Sequence, residues 1–514
     1  MKSRLSKRIL VICVSIVLLI TSGCSGGTSG TEENQQEIVV AFGQDVVTLD
    51  PHNYRGIQDT IASALVYDTL VTYDEEFNVI PSLAESWEWK SDTELIFYLR
   101  KDVKFQNGDP FNAECVKFSI ERNNAGSGAS YSNFITEMEI IDEHTILCKM
   151  DQPFGAAINS LANPIVAMMS PTWVEEIGDR IVEETNGTGA YVLEEFSPGS
   201  RTVFVKSDDY WGEDVALERI ELRVIPETGT RVMALKSGEV DVIENPPPQE
   251  IASIESDPNL YVYQSPKLRT LFLGFNLSDP NVGGEENKAL REAIAYAINP
   301  QEIADGVLEG LAISTNGNFF PDEISQGYAD TSWNKTYDLD KAKQIVAENG
   351  LEGKTVQLWC TNGRYLLDKE TAQVLQSQIG EIGITAEITV MEYGPMMTAC
   401  SNWQHEMHQL AWGWNSGDGS VVLNQLFSSE GAFNCFGFQS EIFDDLVAQG
   451  ASCPEVEDRM NYYNQALQMI VEEEAALIPL VHYTNIYAAN KKVQNLYASP
   501  IEVLMLQMAS IATE

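Results

Sequence analysis

Positive charge is what this chain has least of. Its 514 residues carry 32 Lys and Arg against 76 Asp and Glu, for a formal net charge of −44 at pH 7. A surface with that balance repels phosphate backbones, so no nucleic-acid partner is expected. Long apolar runs are scarce too: beyond the first 20 residues no stretch of about 18 apolar residues recurs, and no membrane span is expected downstream. Metal-type cysteine spacing is missing. Cys115, Cys148, Cys360, Cys400, Cys435 and Cys453 stand far apart with no C-x-x-C pair, which argues against zinc. A large, well-cored chain does not need disulfides, so buried free thiols are the expectation.

Catalytic signatures are also absent. His405-Glu406-Met407-His408 is one residue short of the zincin pattern, and Gly353-Lys354-Thr355 has Glu348 where a phosphate loop begins with Gly. No G-x-S-x-G sits between a strand and a helix. Neither an enzyme nor a resident cofactor or metal is predicted. His405 and His408 could ligate nickel or could simply pack, and both readings stay open.

What is present is material for a core. Hydrophobic residues make up 44% of the chain, with 19 Phe, 19 Tyr and 9 Trp, and a chain this long calls for about two or three domains. Lys2, Arg4, Lys7 and Arg8 precede an apolar run from Ile9 to Ile20, the charged and hydrophobic parts of a secretory signal, too short to span a bilayer. Patterning predicts a strand at Ile38–Phe42, a helical face at Ile61, Leu65, Val66 and Leu70, and an exposed β-segment over Thr93–Phe105. A helix capped by Asn112 and a hairpin over Met138–Met150 follow. Beyond Asn276 helices and strands alternate: a helix to Asn349 stopped by Gly350, a strand Thr355–Cys360, a helix Asp368–Ile382 stopped by Gly383, and a strand Ile384–Met391. Strands at Gln409–Trp414 and Leu477–Tyr487 flank two further helices. This order predicts an α/β lobe.

Two resemblances rest on specific residues. Leu18-Leu19-Ile20-Thr21-Ser22-Gly23-Cys24, followed by Ser25-Gly26-Gly27-Thr28-Ser29-Gly30, resembles a bacterial lipoprotein cleavage site and its tether. It implies a signal peptide over 1–23, Cys24 as the lipid anchor, a flexible tether over 24–37, and an extracytoplasmic protein held to the cell membrane. Six collinear segments then resemble the solute-binding proteins, family 5, of peptide and nickel ABC transporters. They are Thr48-Leu49-Asp50-Pro51-His52, Pro81-Ser82-Leu83-Ala84-Glu85-Ser86-Trp87, Leu99-Arg100-Lys101-Asp102-Val103-Lys104-Phe105, Gly187-Thr188-Gly189-Ala190-Tyr191, Tyr210-Trp211-Gly212 and Lys236-Ser237-Gly238-Glu239-Val240-Asp241. Where the family has Pro after Thr-Gly, this chain has Ala190.

That resemblance implies a two-lobed α/β fold of the periplasmic-binding-protein type II, with an extra domain on the first lobe. Domain I is expected over 38–78, 186–274 and 486–514, domain II over 79–185 and domain III over 275–485, with the chain crossing between lobes near Asn276 and Thr484. It implies a monomeric receptor for short peptides, or for a nickel chelate, glutathione or another small solute, that hands its cargo to the permease subunits of an ABC transporter. Asp418, in Trp412-Gly413-Trp414-Asn415-Ser416-Gly417-Asp418, matches the place where relatives hold a peptide's ammonium group; Ser420 stands where a second Asp is common. Arg364, in Asn362-Gly363-Arg364-Tyr365, matches the position that binds the carboxylate, a task that suits a planar guanidinium. Tyr365, Trp412, Trp414 and Asn415 complete the expected ligand set, and core packing remains the alternative for the two tryptophans.

Overall fold

The computed structural model describes residues 36–321, 336–414 and 416–512. Cys24, the signal segment and nearly all of the tether lie outside them, as does Asn415. The fold is α/β, and among the described residues its largest sheet has eleven strands. From one edge these run Thr385–Val390, Thr355–Cys360, Met407–Gly413, Leu260–Phe275, Leu477–Asn490, Val242–Glu244, Glu37–Phe42, Arg219–Val224, Arg201–Lys206 and Tyr191–Ser197, with Ala312–Ser314 also paired to Leu477–Asn490. A separate antiparallel sheet of four strands, Ala84–Ser91, Glu94–Leu99, Thr145–Met150 and Ile135–Asp142, has its own core with helix Ala113–Asn124.

Two strands carry the large sheet from one half to the other. Residues 260–266 of Leu260–Phe275 pair with 484–490, whereas Thr270–Gly274 pair with 477–482, and the register slips between Pro266 and Thr270. The sequence reading names no element over 260–275; Pro266, which cannot donate to a central ladder, stands at the slip. The break therefore lies inside this strand, upstream of Asn276. One core gathers Leu271, Leu290, Ile294, Leu358, Leu375 and Tyr483, and a larger one runs from Val40, Leu65, Tyr191 and Phe204 on to Phe272, Trp414, Phe436 and Tyr463.

Several local predictions hold because their caps are present. The Asn112 side chain accepts from the backbone N–H groups of Glu114 and Cys115, and Gly238 and Gly350 end their helices in the left-handed conformation at φ 76° and 63°. Others are shorter than predicted. The first helix is Ile57–Val66 and closes at Tyr67, leaving Leu70 to join the core of the four-stranded sheet. Of Thr93–Phe105 only Glu94–Leu99 is a strand, since the Phe105 N–H donates to the Asp109 carbonyl in a tight turn. Of the chain's eight cysteines the six among the described residues are free, five buried and Cys453 half-buried.

The recurring sequence segments interlock. Asp50 accepts two 2.7 Å bonds from the Arg122 guanidinium. Asp68 accepts from Thr188 Oγ1 at 2.8 Å and from Trp211 Nε1 at 2.9 Å, and Arg100 lies over the Trp211 ring at 4.7 Å. Gly187 and Gly189 run against the Val66 backbone, whose carbonyl accepts the Gly189 N–H at 2.8 Å. A Cβ on Gly187 would stand 1.8 Å from that carbonyl oxygen. Gly187→Ala is therefore expected to lower stability by about 3 kcal/mol, because a backbone oxygen cannot step aside as a side chain can. Urea unfolding of the variant beside the parent checks this, and an unchanged midpoint would refute it.

Candidate functional site

The register break aims charge. Lys267 and Arg269 sit two residues apart at the slip, where a bulged strand can redirect its side chains. The backbone there is satisfied: Leu268 N–H donates to Pro500 O at 2.8 Å, and Trp414 N–H to Leu268 O at 3.1 Å. Both cations reach Glu502, Lys267 Nζ to Oε2 and Arg269 Nη2 to Oε1, each at 2.8 Å. Burial pushes the Glu502 carboxyl up, but its two cations outweigh that and hold it below the usual range. Burial lowers the Lys267 ammonium, with Glu502 opposing. Gly413 faces Arg269 across the ladder, and a Cβ there would lie 3.0 Å from Arg269 Nη2.

Lys267, Arg269, Arg364 and Tyr365 line a cavity of about 400 Å³, closed by Asn245–Pro248 and by Tyr483 and Thr484. It lies past the ends of Val242–Glu244 and Thr355–Cys360, one strand from each half of the sheet, where open α/β sheets place ligands. A second cavity of about 170 Å³ shares Arg269 and adds Tyr54, Thr60, Asn163 and Glu502. A third, of about 450 Å³, lies against helices Ser420–Phe427 and Glu441–Ser452; Glu430 and Asp444 line it, and no cation does.

Arg364 is exposed, its guanidinium 4.5 Å from the Tyr393 ring centre and 5.7 Å from that of Tyr365. Among the described residues no carboxylate pairs with it. The loop that presents it is rigid because buried Asp368 accepts from the backbone N–H groups of Gly363, Arg364 and Tyr365 at 2.8, 3.1 and 3.2 Å and from Thr361 Oγ1 at 2.7 Å. Tyr365 stacks on Tyr483, ring centres 6.5 Å apart, and burial pushes its hydroxyl up to about 12.

Asp418 stands elsewhere. It is fully buried, outside the cavity that Arg364 lines, with Oδ2 at 2.8 Å from Arg459 Nε and Oδ1 accepting from Ser420 N–H at 2.8 Å and Tyr463 Oη at 3.3 Å. A ligand's ammonium would have to displace Arg459. Trp414 packs against Phe319 and Phe320 at 6.0 and 5.2 Å, in the core, while Trp412 is half-buried beside Phe433. The expected ligand set is thus divided: Arg364 and Tyr365 share a cavity, and Asp418 does not join them. His405 and His408 face each other at 2.8 Å, buried among Trp359, Phe272 and Phe436, and burial pushes His405 down to about 4. Among the described residues no group of three or more His, Cys, Asp or Glu could hold a metal ion.

Lys267, Arg269 and Glu502 are not predicted from patterning. The signal available was two cations placed two apart in an apolar run, in a chain that has few cations to spend.

The model for bacterial extracellular solute-binding proteins, family 5 middle, matches residues 78–434. The glutathione-binding protein GsiB of Escherichia coli O1:K1 is 29% identical over 486 residues, covering 90% of this chain and 92% of that one. A nickel ABC transporter structure from Bacillus halodurans superposes with a TM-score of 0.81 at 27% identity, over 93% of this chain and all of that one. The ABC transporter-associated periplasmic binding protein DppA of Helicobacter pylori, in complex with peptide STSA, gives 0.71 at 25% identity, over 92% and 98%.

The Asp418–Arg459 pair has a consequence for stability without ligand. Removing one member of a buried pair strands the other's charge, at a cost of about 3–5 kcal/mol. Asp418→Ala is expected to lose that much in guanidinium unfolding, and Asp418→Ala with Arg459→Met to regain most of it. Equal stability of the single variant and parent would show that the pair contributes nothing to folding.

Proposed function

Because the chain belongs to the bacterial extracellular solute-binding proteins of family 5, we propose that it captures short peptides in the cavity between Arg364 and Lys267 and delivers them to the permease subunits of an ABC importer. The observation that carries this reading is Arg364: an exposed guanidinium on a rigid loop, lining a concave site, with no carboxylate partner among the described residues. A peptide's terminal carboxylate fits it, because guanidinium and carboxylate match in a planar, two-bond geometry. Tyr365 and Tyr483 supply an apolar wall with hydroxyl edges. The peptide held in the DppA structure supports the same class of ligand. Relatives of this family are solute-binding receptors rather than enzymes. The buried His405–His408 pair lines none of the cavities that contain Arg269, so this pair lends no support to a metal chelate there.

In this reading the protein works as a monomer outside the cytoplasm, tethered through lipid on Cys24, with domain I over 38–78, 186–274 and 486–514, domain II over 79–185 and domain III over 275–485. The lobes close about the strand pair Leu260–Phe275 and Leu477–Asn490. Asp418 joins the ligand only by exchanging Arg459 for the peptide's ammonium, so its substitution should weaken binding and folding together.

Two measurements test the reading. Titration calorimetry on the full chain in detergent should show Arg364→Ala weakening a free short peptide at least about tenfold, in line with the roughly 2–5 kcal/mol lost when a charge pair that closure of the lobes would bury is cut. Its C-terminal amide should be affected much less; equal losses for both would remove the carboxylate role. Separately, Cys24→Ala should abolish lipid labelling and release the chain from washed membranes, and persistent labelling would rule out that anchor.

A further inference from the structure

We propose that the solute selected by this cavity carries at least two carboxylates, one bound by Arg364 and a second by Lys267 and Arg269, so that acidic short peptides are preferred over neutral or basic ones. The proposal rests on the peptide-receptor reading for the word peptide, and on the cavity itself for the two charges.

Three cations line one cavity in a chain whose acids outnumber its cations 76 to 32, and no Asp or Glu is among the residues lining it. Chance placement would surround such a cavity with carboxylates. Glu502 reaches Lys267 and Arg269 from the neighbouring cavity, and one carboxylate serving two cations leaves a positive charge uncompensated. Lys267 and Arg269 have only 19% and 28% of their side-chain surface exposed, so water does little to neutralise that charge. Two further acids stand near, and both are occupied: Asp368 is taken up by the backbone of the Arg364 loop, and Glu244 has partners of its own. It accepts from Gly43 N–H at 2.6 Å and Gln58 Nε2 at 3.3 Å, and burial pushes its carboxyl up despite Arg231 and Lys267.

Backbone geometry points to the same place. Asn245, which lines the cavity, and Leu367, which follows its Arg364–Leu366 rim, have φ of 46° and 49°, in the left-handed region that non-glycine residues rarely enter. Such residues collect at ligand clamps, where the surrounding structure holds them against their own preference. Here Asn245 N–H is fastened to the Ile486 carbonyl at 2.9 Å, and Asp368 fastens the other rim. Asn245 lies among the residues that line the cavity with the cations, and Leu367 directly follows the rim that carries Arg364, so the left-handed backbone and the unbalanced charge border one site.

Calorimetry on the full chain in detergent, at fixed ionic strength, tests this with Ala-Ala-Ala, Ala-Glu-Ala, Ala-Lys-Ala and glutarate. Ala-Glu-Ala is expected to bind at least tenfold tighter than Ala-Ala-Ala, with Ala-Lys-Ala weakest. Lys267→Gln should shrink the gap between acidic and neutral peptides to about threefold or less, Lys267→Arg should retain it, and Glu502→Gln should widen it. If Ala-Ala-Ala binds as tightly as Ala-Glu-Ala, the two-carboxylate inference is overturned while the peptide reading survives. If glutarate binds and no peptide does, the peptide reading falls and the two-carboxylate inference stands. If none of the four binds, both are wrong.

Discussion

Two adjacent strands, Leu260–Phe275 and Leu477–Asn490, run long enough to belong to both halves of one sheet, and they cannot keep a single register while doing so. Pro266 has no N–H to give the ladder, and the pairing resumes only at Thr270. The slip frees Lys267 and Arg269 from ordinary strand packing and leaves them beside Glu502, at the point where the loops after Val242–Glu244 and Thr355–Cys360 converge. A regular ladder through 266–270 would fix these side chains in the ordinary alternation of a central strand. Fold and site therefore share one cause, an irregularity in the central pairing.

Scarce positive charge is placed with economy. Arg122 holds Asp50, Arg459 holds Asp418, and Arg291, with no exposed surface, donates to the carbonyls of Val282, Gly284 and Glu474. Each of these cations is tied to groups of the fold, and Arg291 and Arg459 are closed to solvent. Lys267, Arg269 and Arg364 instead line open space. A carboxylate ligand gains more from a cation already held in a partly desolvated cavity than from a mobile one in water, because little reorganisation remains to be paid.

Much of this was legible before any coordinates. Asn112, Gly238 and Gly350 mark helix ends through chemistry that acts within a few residues, so their positions can be found from the chain alone. The landmarks around Asp50, Gly187 and Trp211 are legible for a different reason: they resemble segments of a known family, and in the structure each makes a specific contact, such as Gly187 against the Val66 carbonyl. Arg364 also emerged from its loop, because a strand followed by Asn-Gly-Arg-Tyr places an arginine where such lobes bind ligands.

Sequence by itself determined the α/β order, the scarcity of cations and the absence of catalytic and metal motifs, since these depend on local pattern or on composition; Arg364 became a candidate through its loop position together with the family resemblance. Only tertiary structure decided which charges are spent and which are available. Asp418 looks like a free carboxylate in Ser416-Gly417-Asp418, yet Arg459 and Tyr463, more than 40 residues downstream, occupy it. Lys267 and Arg269 look like interruptions of an apolar run, yet Glu502, more than 230 residues away, draws them to the cavity. An ion pair between distant residues leaves no periodicity and no short spacing, so its partner is known only when the chain has folded.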